Sequence, residues 1–477
     1  MFYFVGGFRT EPVFYNHNLW PRGGAIINET RRHVMIVSMN FDVIIIGGGL
    51  VGASLAAALK NSGLSLALVE SQSAPKQVGA PSRNVLPPLF NPLPQRTPLS
   101  NSLPQAGERT NEKGNLESLG EGAIESPREL QFNDWDSRIY AISPGSRNFL
   151  DQAGAWSMLD NSRIEAVTEM RVFGDTGAEL DFSAYQMGVA ELACILEGSA
   201  LQHALWQVVQ QQENLTWFHS ARCASLAFAN HAATLTLEDG RTLSAKLIVG
   251  ADGRDSWVRR QMGIHAAPVD YQQHAVVANF TTELPHRGIA YQWFQTDGIL
   301  ALLPLPGNRV SMVWSVSPEQ AKRLQAMSQA ELCAQVTSAS RHTLGRLKLI
   351  TPPAAFPLQM LVLPKISVPR AVLIGDAAHN MHPLAGQGVN AGFRDASQLT
   401  KLLMERGAQH DCGDAILLRR YERKRKEDIY VMQATTYGLK HLFNNDVPLL
   451  RAARNFGLNA TNHILPLKKM LMQHALN

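Results

Sequence analysis

The stretch Phe41–Glu70, FDVIIIGGGLVGASLAAALKNSGLSLALVE, decides the fold of this chain. Val43–Ile46 is a short apolar strand, Gly47, Gly49 and Gly52 follow at GxGxxG spacing, and Val51–Asn61 is a helix of small residues able to pack close to a sheet. Leu64–Val69 reads as a second strand, ended by Glu70 eighteen residues after Gly52. Backbone N–H groups at a helix N-terminus hold a pyrophosphate, and an acidic side chain at the end of the second strand accepts from ribose hydroxyls. Glycine turns also occur without nucleotides. With strand, helix, second strand and terminal Glu in register, the segment reads as a dinucleotide site.

A second segment has the same grammar. In AVLIGDAAHNMHPLAGQGVNAGFRD, residues 371–395, Ala371–Ile374 is a buried strand, Gly375 lets the backbone pass close to a ligand, and Asp376 offers a carboxylate to sugar hydroxyls. Pro383 fixes a turn, Gly386, Gln387 and Gly388 follow, and from about Val389 the pattern is helical through Leu403. The positive end of that helix suits the negative charge on the pyrimidine edge of a reduced flavin. A third segment, LIVGADGRDSWVR at 247–259, carries a strand into Asp252 and a short helix beginning near Ser256. Taken alone, Asp252 reads first as a helix cap or turn residue.

In this order and spacing the three segments resemble the FAD-dependent aromatic hydroxylases of the p-hydroxybenzoate hydroxylase type, and within them the ubiquinone-biosynthesis monooxygenases. HPLAGQGVNAGFRD, His382–Asp395, matches the signature of that group, and Tyr291–Trp314 and Phe356–Leu358 are similar to it as well. The likeness covers about 40–75 and 134–477. It implies an α/β fold: a discontinuous Rossmann-like FAD-binding domain (40–74, 134–159, 191–264 and 371–400), an antiparallel-sheet substrate domain (160–190 and 265–370) and C-terminal helices (401–477). It implies that Gly47, Gly49, Gly52 and Glu70 hold adenosine and pyrophosphate, and that Arg138 reaches the pyrophosphate or ribityl side. Asp252 falls in a motif associated with FAD and NAD(P)H, Asp376 binds the ribityl chain, and Pro383 with Gly386, Gln387, Gly388 and Asn390 lines the isoalloxazine. One departure is visible: relatives usually read Glu-Asn where this chain has Glu197-Gly198, so an amide contact there is lost or supplied elsewhere.

The chemistry implied is reduction of FAD by NAD(P)H, addition of O2, and transfer of OH from a flavin hydroperoxide to the ring of a polyprenylphenol. The protein would supply orientation, exclusion of water and stabilisation of anions. No second strand–GxGxxG–helix unit is present, so the nicotinamide is expected as a transient co-substrate. An isoprenoid-directed FAD reductase and a non-catalytic FAD-binding subunit of a biosynthetic complex stand as alternatives; oxygen dependence and substrate-stimulated turnover separate them. No catalytic base is named. His379 and His382 lie beside the ring segment but read first as structural hydrogen-bond partners. Tyr291, Trp293 and Trp314 read either as an aromatic pocket or as sheet core.

Composition agrees with this class. The chain has 477 residues, 45% of them hydrophobic, enough for a large core in two or three domains. Its four cysteines, Cys194, Cys223, Cys333 and Cys412, are too scattered for a metal or iron–sulfur motif, and a reducing, cytoplasmic setting is expected. No apolar run reaches the length of a membrane span. Residues 415–477 carry eleven Lys or Arg against four Asp or Glu, +7 in a chain of +4, leaving −3 for the rest. That basic end is interrupted by Leu439, Leu442, Phe443, Leu449, Leu450, Leu465 and Leu467. It reads equally as a segment for an anionic membrane surface, peripheral on its inner face, or as core helices with a solvated basic face. Nucleic acid is not expected, and homo-oligomerisation is left open.

Residues 1–38 lack a charged n-region and a cleavage site, and are expected either as the product of an upstream start codon, the motif region beginning at Met39, or as a poorly ordered extension. Residues 75–133, rich in Pro, Ser, Gly and Asn, are expected as a disordered insertion. Elsewhere the periodicity predicts helices at Ala193–Gln212 and Pro318–Ser338. Strands are predicted at Ala166–Phe173, Leu215–Phe218, Ser225–Phe228, Ala233–Leu237, Ala275–Phe280, Tyr291–Phe294, Ile299–Leu305 and Val310–Trp314.

Overall fold

In the computed structural model, which describes residues 38–72, 135–174, 177–295, 298–380, 387–407 and 410–443, the first strand is Ser38–Ile46. It runs parallel to Leu66–Val69 on one side and to Thr242–Gly250 on the other. Leu215–Phe218 extends the parallel run beyond Leu66–Val69, and Ala371–Leu373 extends it beyond Thr242–Gly250. Val43, Ile44, Ile45, Leu66, Ala67 and Leu68 are all fully buried. Both faces of these strands are covered, which is why they read as unbroken apolar runs. An antiparallel hairpin, Cys223–Phe228 with Ala233–Leu237, pairs with the lower half of Thr242–Gly250.

A second sheet is built from Val269–Thr282, Arg309–Val316, Gly298–Leu305 and Ile289–Gln295, antiparallel to one another in that order. One pairing departs from the expected antiparallel pattern: Glu169–Phe173 joins parallel to Ile289–Gln295. The predicted strand Ala166–Phe173 is divided. Glu165–Val167 belongs instead to a three-stranded sheet with Ile139–Ile142 and Ala193–Glu197.

Two helix predictions are corrected. Ala193–Gln212 begins as a strand, Ala193–Glu197, and becomes helical only at Gly198–Gln210. Ala193–Leu196 is an apolar run without a period of its own, so its pairing with Ile139–Ile142 decides its conformation. Pro318–Ser338 is two helices, Pro318–Ala326 and Gln329–Ala339. Met327 turns extended (ψ 145°), and Ser328 opens the second helix with a capping box to Glu331.

Gln387–Glu405 and Ala415–Phe443 are the long C-terminal helices. Leu418, Tyr421, Ile429 and Met432 of the last helix are buried, whereas Arg419, Arg420, Arg423 and Lys424 are exposed. Over these residues it is a packed helix with a basic outer face. Among the described residues no helix is long and apolar enough to cross a membrane. The expectations placed on 1–37, 75–133, His382, Pro383, Gly386 and 444–477 fall outside the described residues.

Candidate functional site

Register brings the sequence motifs together. Ile46 lies opposite both Val69 and Gly250, and Gly250 lies opposite Leu373. Gly47, Glu70, Asp252 and the Gly375–Asp376 turn therefore leave the sheet side by side at its carboxyl edge, where open α/β sheets bind ligands.

The first turn is enforced by backbone sterics. Gly47 has φ +107°, and a Cβ there would stand 2.3 Å from Ala251 O. A Cβ on Gly52 would stand 1.9 Å from Gly47 O, so the helix Leu50–Ala58 packs against the strand only with glycine there. Gly49 is the helix N-cap, and a Cβ on it would meet nothing within 4 Å. The N-terminus of the helix is open at that point.

Gly48, which the motif reading passed over, is the hub of the turn. Its N–H donates to Glu70 Oε2 at 2.7 Å. Its carbonyl accepts from Gln202 Nε2 at 2.9 Å and Trp206 Nε1 at 2.8 Å. The other oxygen of Glu70 accepts from Gln72 N at 2.8 Å. Glu70 thus ties the strand end to the glycine turn. The Glu197-Gly198 departure also has a physical reason: a Cβ at Gly198 would lie 2.8 Å from the Tyr140 ring. One turn later on the same helix the Gln202 amide donates to Gly48 O.

Asp252 behaves as the cap the sequence suggested. Its Oδ2 accepts from Trp257 N at 2.7 Å and Val258 N at 3.0 Å, and Ser256 caps the same short helix by accepting from Arg259 N. Its Oδ1 is buried with no hydrogen-bond partner among the described residues, leaving one acceptor to spare.

The second turn is held by charge. Gly375 is left-handed (φ +60°) and donates its N–H to Asp395 Oδ2 at 2.8 Å. Asp376, the next residue, is solvent-exposed. Desolvation pushes its carboxyl above the ordinary value, opposed by His379, Arg254 and Arg138 nearby. Arg138 is exposed, with its guanidinium 5.9 Å from the Phe356 ring centre. Its backbone is fixed through Asp136, which binds Arg138 N, Ser199 N, Glu197 and Asn279.

Asn390 ties two elements together. Its side chain accepts from Ser143 N at 2.9 Å and donates to Ala141 O at 2.7 Å, pinning the helix Gln387–Glu405 to the strand Ile139–Ile142 that follows Arg138. Gln387 opens that helix, and a Cβ on Gly388 would meet nothing within 4 Å.

Motif reading missed the buried charge beneath this turn. Asp395 is fully buried; its Oδ2 also accepts from His379 Nε2 at 2.6 Å, and its Oδ1 from Arg425 Nε at 2.6 Å. Burial alone would raise its carboxyl, but His379 and Arg425 reverse that and hold it at about 2. Asp395 is therefore an acceptor only, and His379 Nε2 carries the proton. The structural reading of His379 holds. A signal existed: Asp395 lies among Ala391, Phe393, Ala396 and Leu399, and a carboxylate on an apolar helix face requires a partner.

Tyr291, Trp293 and Trp314 are sheet core. They share an apolar cluster with Leu324, Leu332 and Val336 from the two helices covering that face, and Trp293 stacks between Phe173 and Tyr291. The opposite face is left partly open. There Val277, Val313 and Ala301 stand in register across three strands, each half-buried. Of the run Ile299–Leu305, alternate residues Leu300 and Leu302 join the helix-covered core, while Ala301 and Leu303 remain half-buried on the other side.

Comparison with known proteins agrees with this geometry. A family model described as an FAD binding domain matches residues 136–434. The chain is 31% identical over 440 residues to the ubiquinone hydroxylase UbiL of Rhodospirillum rubrum, covering 91% of this chain and 89% of that protein. It is 33% identical over 344 residues to the 3-demethoxyubiquinol 3-hydroxylase of Escherichia coli, covering 72% and 87%. In fold it is similar to the crystal structure of PqsL from P. aeruginosa, with a TM-score of 0.65 at 19% identity over 88% of this chain and 100% of that one. The chain belongs to the FAD-binding-domain family, among the flavoprotein hydroxylases of ubiquinone biosynthesis.

Proposed function

We propose that this protein is a FAD-dependent monooxygenase that hydroxylates the aromatic ring of a polyprenylphenol in ubiquinone biosynthesis, using NAD(P)H and O2. The observation that carries the reading is similarity, over 91% and 72% of this chain, to two hydroxylases named for ubiquinone and a demethoxyubiquinol, on a fold whose sheet edge gathers the motifs FAD requires.

The residues present fit FAD. The open space at Gly49, flanked by glycines that tolerate no Cβ, suits a pyrophosphate at the helix N-terminus. Asp376, exposed at the sheet edge, suits the ribityl hydroxyls, and Glu70 those of the ribose. Arg138 lies beside Asp376, and the N-terminus of Gln387–Glu405 supplies positive potential for the ring end. Pro383, Gly386, Gln387 and Gly388 would line the isoalloxazine. We assign Asn390 to holding that lining in place, since its side chain is bonded to Ala141 and Ser143. When bound, FAD supplies the redox chemistry, taking electrons from NAD(P)H and activating O2 for transfer of one oxygen atom.

The half-buried strip of Val277, Val313 and Ala301 would hold an apolar ring and exclude water, with the sheet carrying it as the substrate domain and the parallel sheet as the FAD domain. The basic outer face at Arg419, Arg420, Arg423 and Lys424 supports residence at an anionic membrane surface, where a long-tailed phenol is found.

Tail length tests the substrate. Each buried isoprene unit is worth roughly 2 to 4 kcal/mol at about 0.8 kcal/mol per CH2-sized group, less the cost of ordering it. With FAD-loaded protein, the KM for stimulated NAD(P)H oxidation should fall steeply over the first isoprene units, and p-hydroxybenzoate should be silent. Equal stimulation by the tail-less acid would overturn the assignment.

A further inference from the structure

The last helix reaches under the flavin turn through one buried side chain. Arg425, on Ala415–Phe443, donates from Nε to Asp395 Oδ1 at 2.6 Å and from NH1 to Asp428 Oδ2 at 2.6 Å. Asp395, on Gln387–Glu405, passes the contact on: its Oδ2 takes the N–H of left-handed Gly375 and the Nε2–H of His379. Gly375 and His379 bracket Asp376, and His379 N closes the turn onto Gly375 O at 3.0 Å. One carboxylate thus fixes both ends of the five-residue turn that presents Asp376. An acceptor-only group satisfying three donors in a dry interior leaves that turn one arrangement.

We propose that Asp395, backed by Arg425, is a positioning residue for the flavin: it sets the Gly375–His379 turn so that Asp376 meets the cofactor, and thereby makes FAD affinity depend on how the last helix is docked. The proposal rests on the reading of Asp376 as a ribityl partner. Loosening the turn lowers the fraction of protein in the binding-competent arrangement, and apparent affinity falls by that fraction. A group that acts only through Asp376 should lose its effect once Asp376 is gone, whereas general destabilisation should add to that loss.

FAD affinity is measured by titrating full-length apoprotein and following quenching of flavin fluorescence. The variants are Asp376→Ala, Asp395→Asn, Arg425→Gln and His379→Gln, with each of the last three also placed in the Asp376→Ala background. Asp395→Asn should weaken FAD binding by at least about fivefold, Arg425→Gln should act in the same direction more weakly, and in the Asp376→Ala background neither should cost more than about twofold further. If Asp395→Asn does not fold, Arg425→Gln and His379→Gln carry the same cycle, His379→Gln keeping a side-chain N–H donor. Parent-like binding by Asp376→Ala overturns the reading of Asp376 and this proposal with it. Weakened binding by Asp376→Ala, with parent-like affinity or full additivity for the others, overturns this proposal alone.

Discussion

Two turns at the carboxyl edge of one sheet are each made from a strand, a glycine and a helix, yet different physics holds them. At 47–52 the constraint is repulsive: a Cβ on Gly47 or Gly52 would collide with backbone oxygen at 2.3 or 1.9 Å. At 375–395 it is attractive, one buried carboxylate collecting Gly375 N–H, His379 and Arg425. The first turn rests on close backbone approach, Gly52 against Gly47 O and Gly47 against Ala251 O. The second depends on a residue thirty positions further on and on an ionised group. A steric contact that excludes every Cβ leaves a glycine in the sequence as its mark; a buried carboxylate leaves no mark of which partners it takes.

The largest effect should come from breaking the steric turn. Gly52→Val forces a side chain into backbone and should cost about 3 kcal/mol or more, whereas Gly388→Ala, with nothing within 4 Å of its Cβ, should leave urea melts nearly unchanged. Similar melts for the two would break the contrast. Next come the ligand-facing positions. Gly49→Val and Asp376→Ala should yield soluble protein that has lost most of its yellow colour, since one obstructs the pyrophosphate and the other removes a ribityl acceptor. Full flavin occupancy in both would refute the site.

Acid should separate the turns more gently. Asp395 is held at about 2 in the folded protein against 3.8 in an unfolded chain, a depressed carboxylate. Its contribution is present in full above about pH 4 and fades as pH falls through 2. The difference corresponds to roughly 2 kcal/mol. Unfolding free energy extrapolated from urea melts should fall by about that much over this window, and Asp395→Asn should lack this step. An unchanged acid limb in the variant would place the titrating group elsewhere.

The sequence shows this same division. GxGxxG at 47–52 and the strand ends were legible because close backbone approach and positive φ leave glycine in the sequence, and an apolar run leaves its own mark. The cap role of Asp252 was legible as well. What escaped was settled by partners distant in the chain. Ala193–Glu197 became a strand because Ile139–Ile142 lies beside it, and of the two readings open for Tyr291 and Trp293, two covering helices selected core. Gly48 escaped notice because its partners, Gln202 and Trp206, lie more than 150 residues away.

Oxygen labelling tests the account most directly. FAD-loaded protein is given NAD(P)H, a polyprenylphenol and 18O2, and the product is weighed by mass spectrometry. We expect one labelled atom on the aromatic ring for each NAD(P)H oxidised in coupled turnover, with no label when only the water is enriched. Oxygen taken from water, or NAD(P)H-dependent conversion of the isoprenoid without O2, would contradict a flavin hydroxylase and favour a reductase on the same two turns.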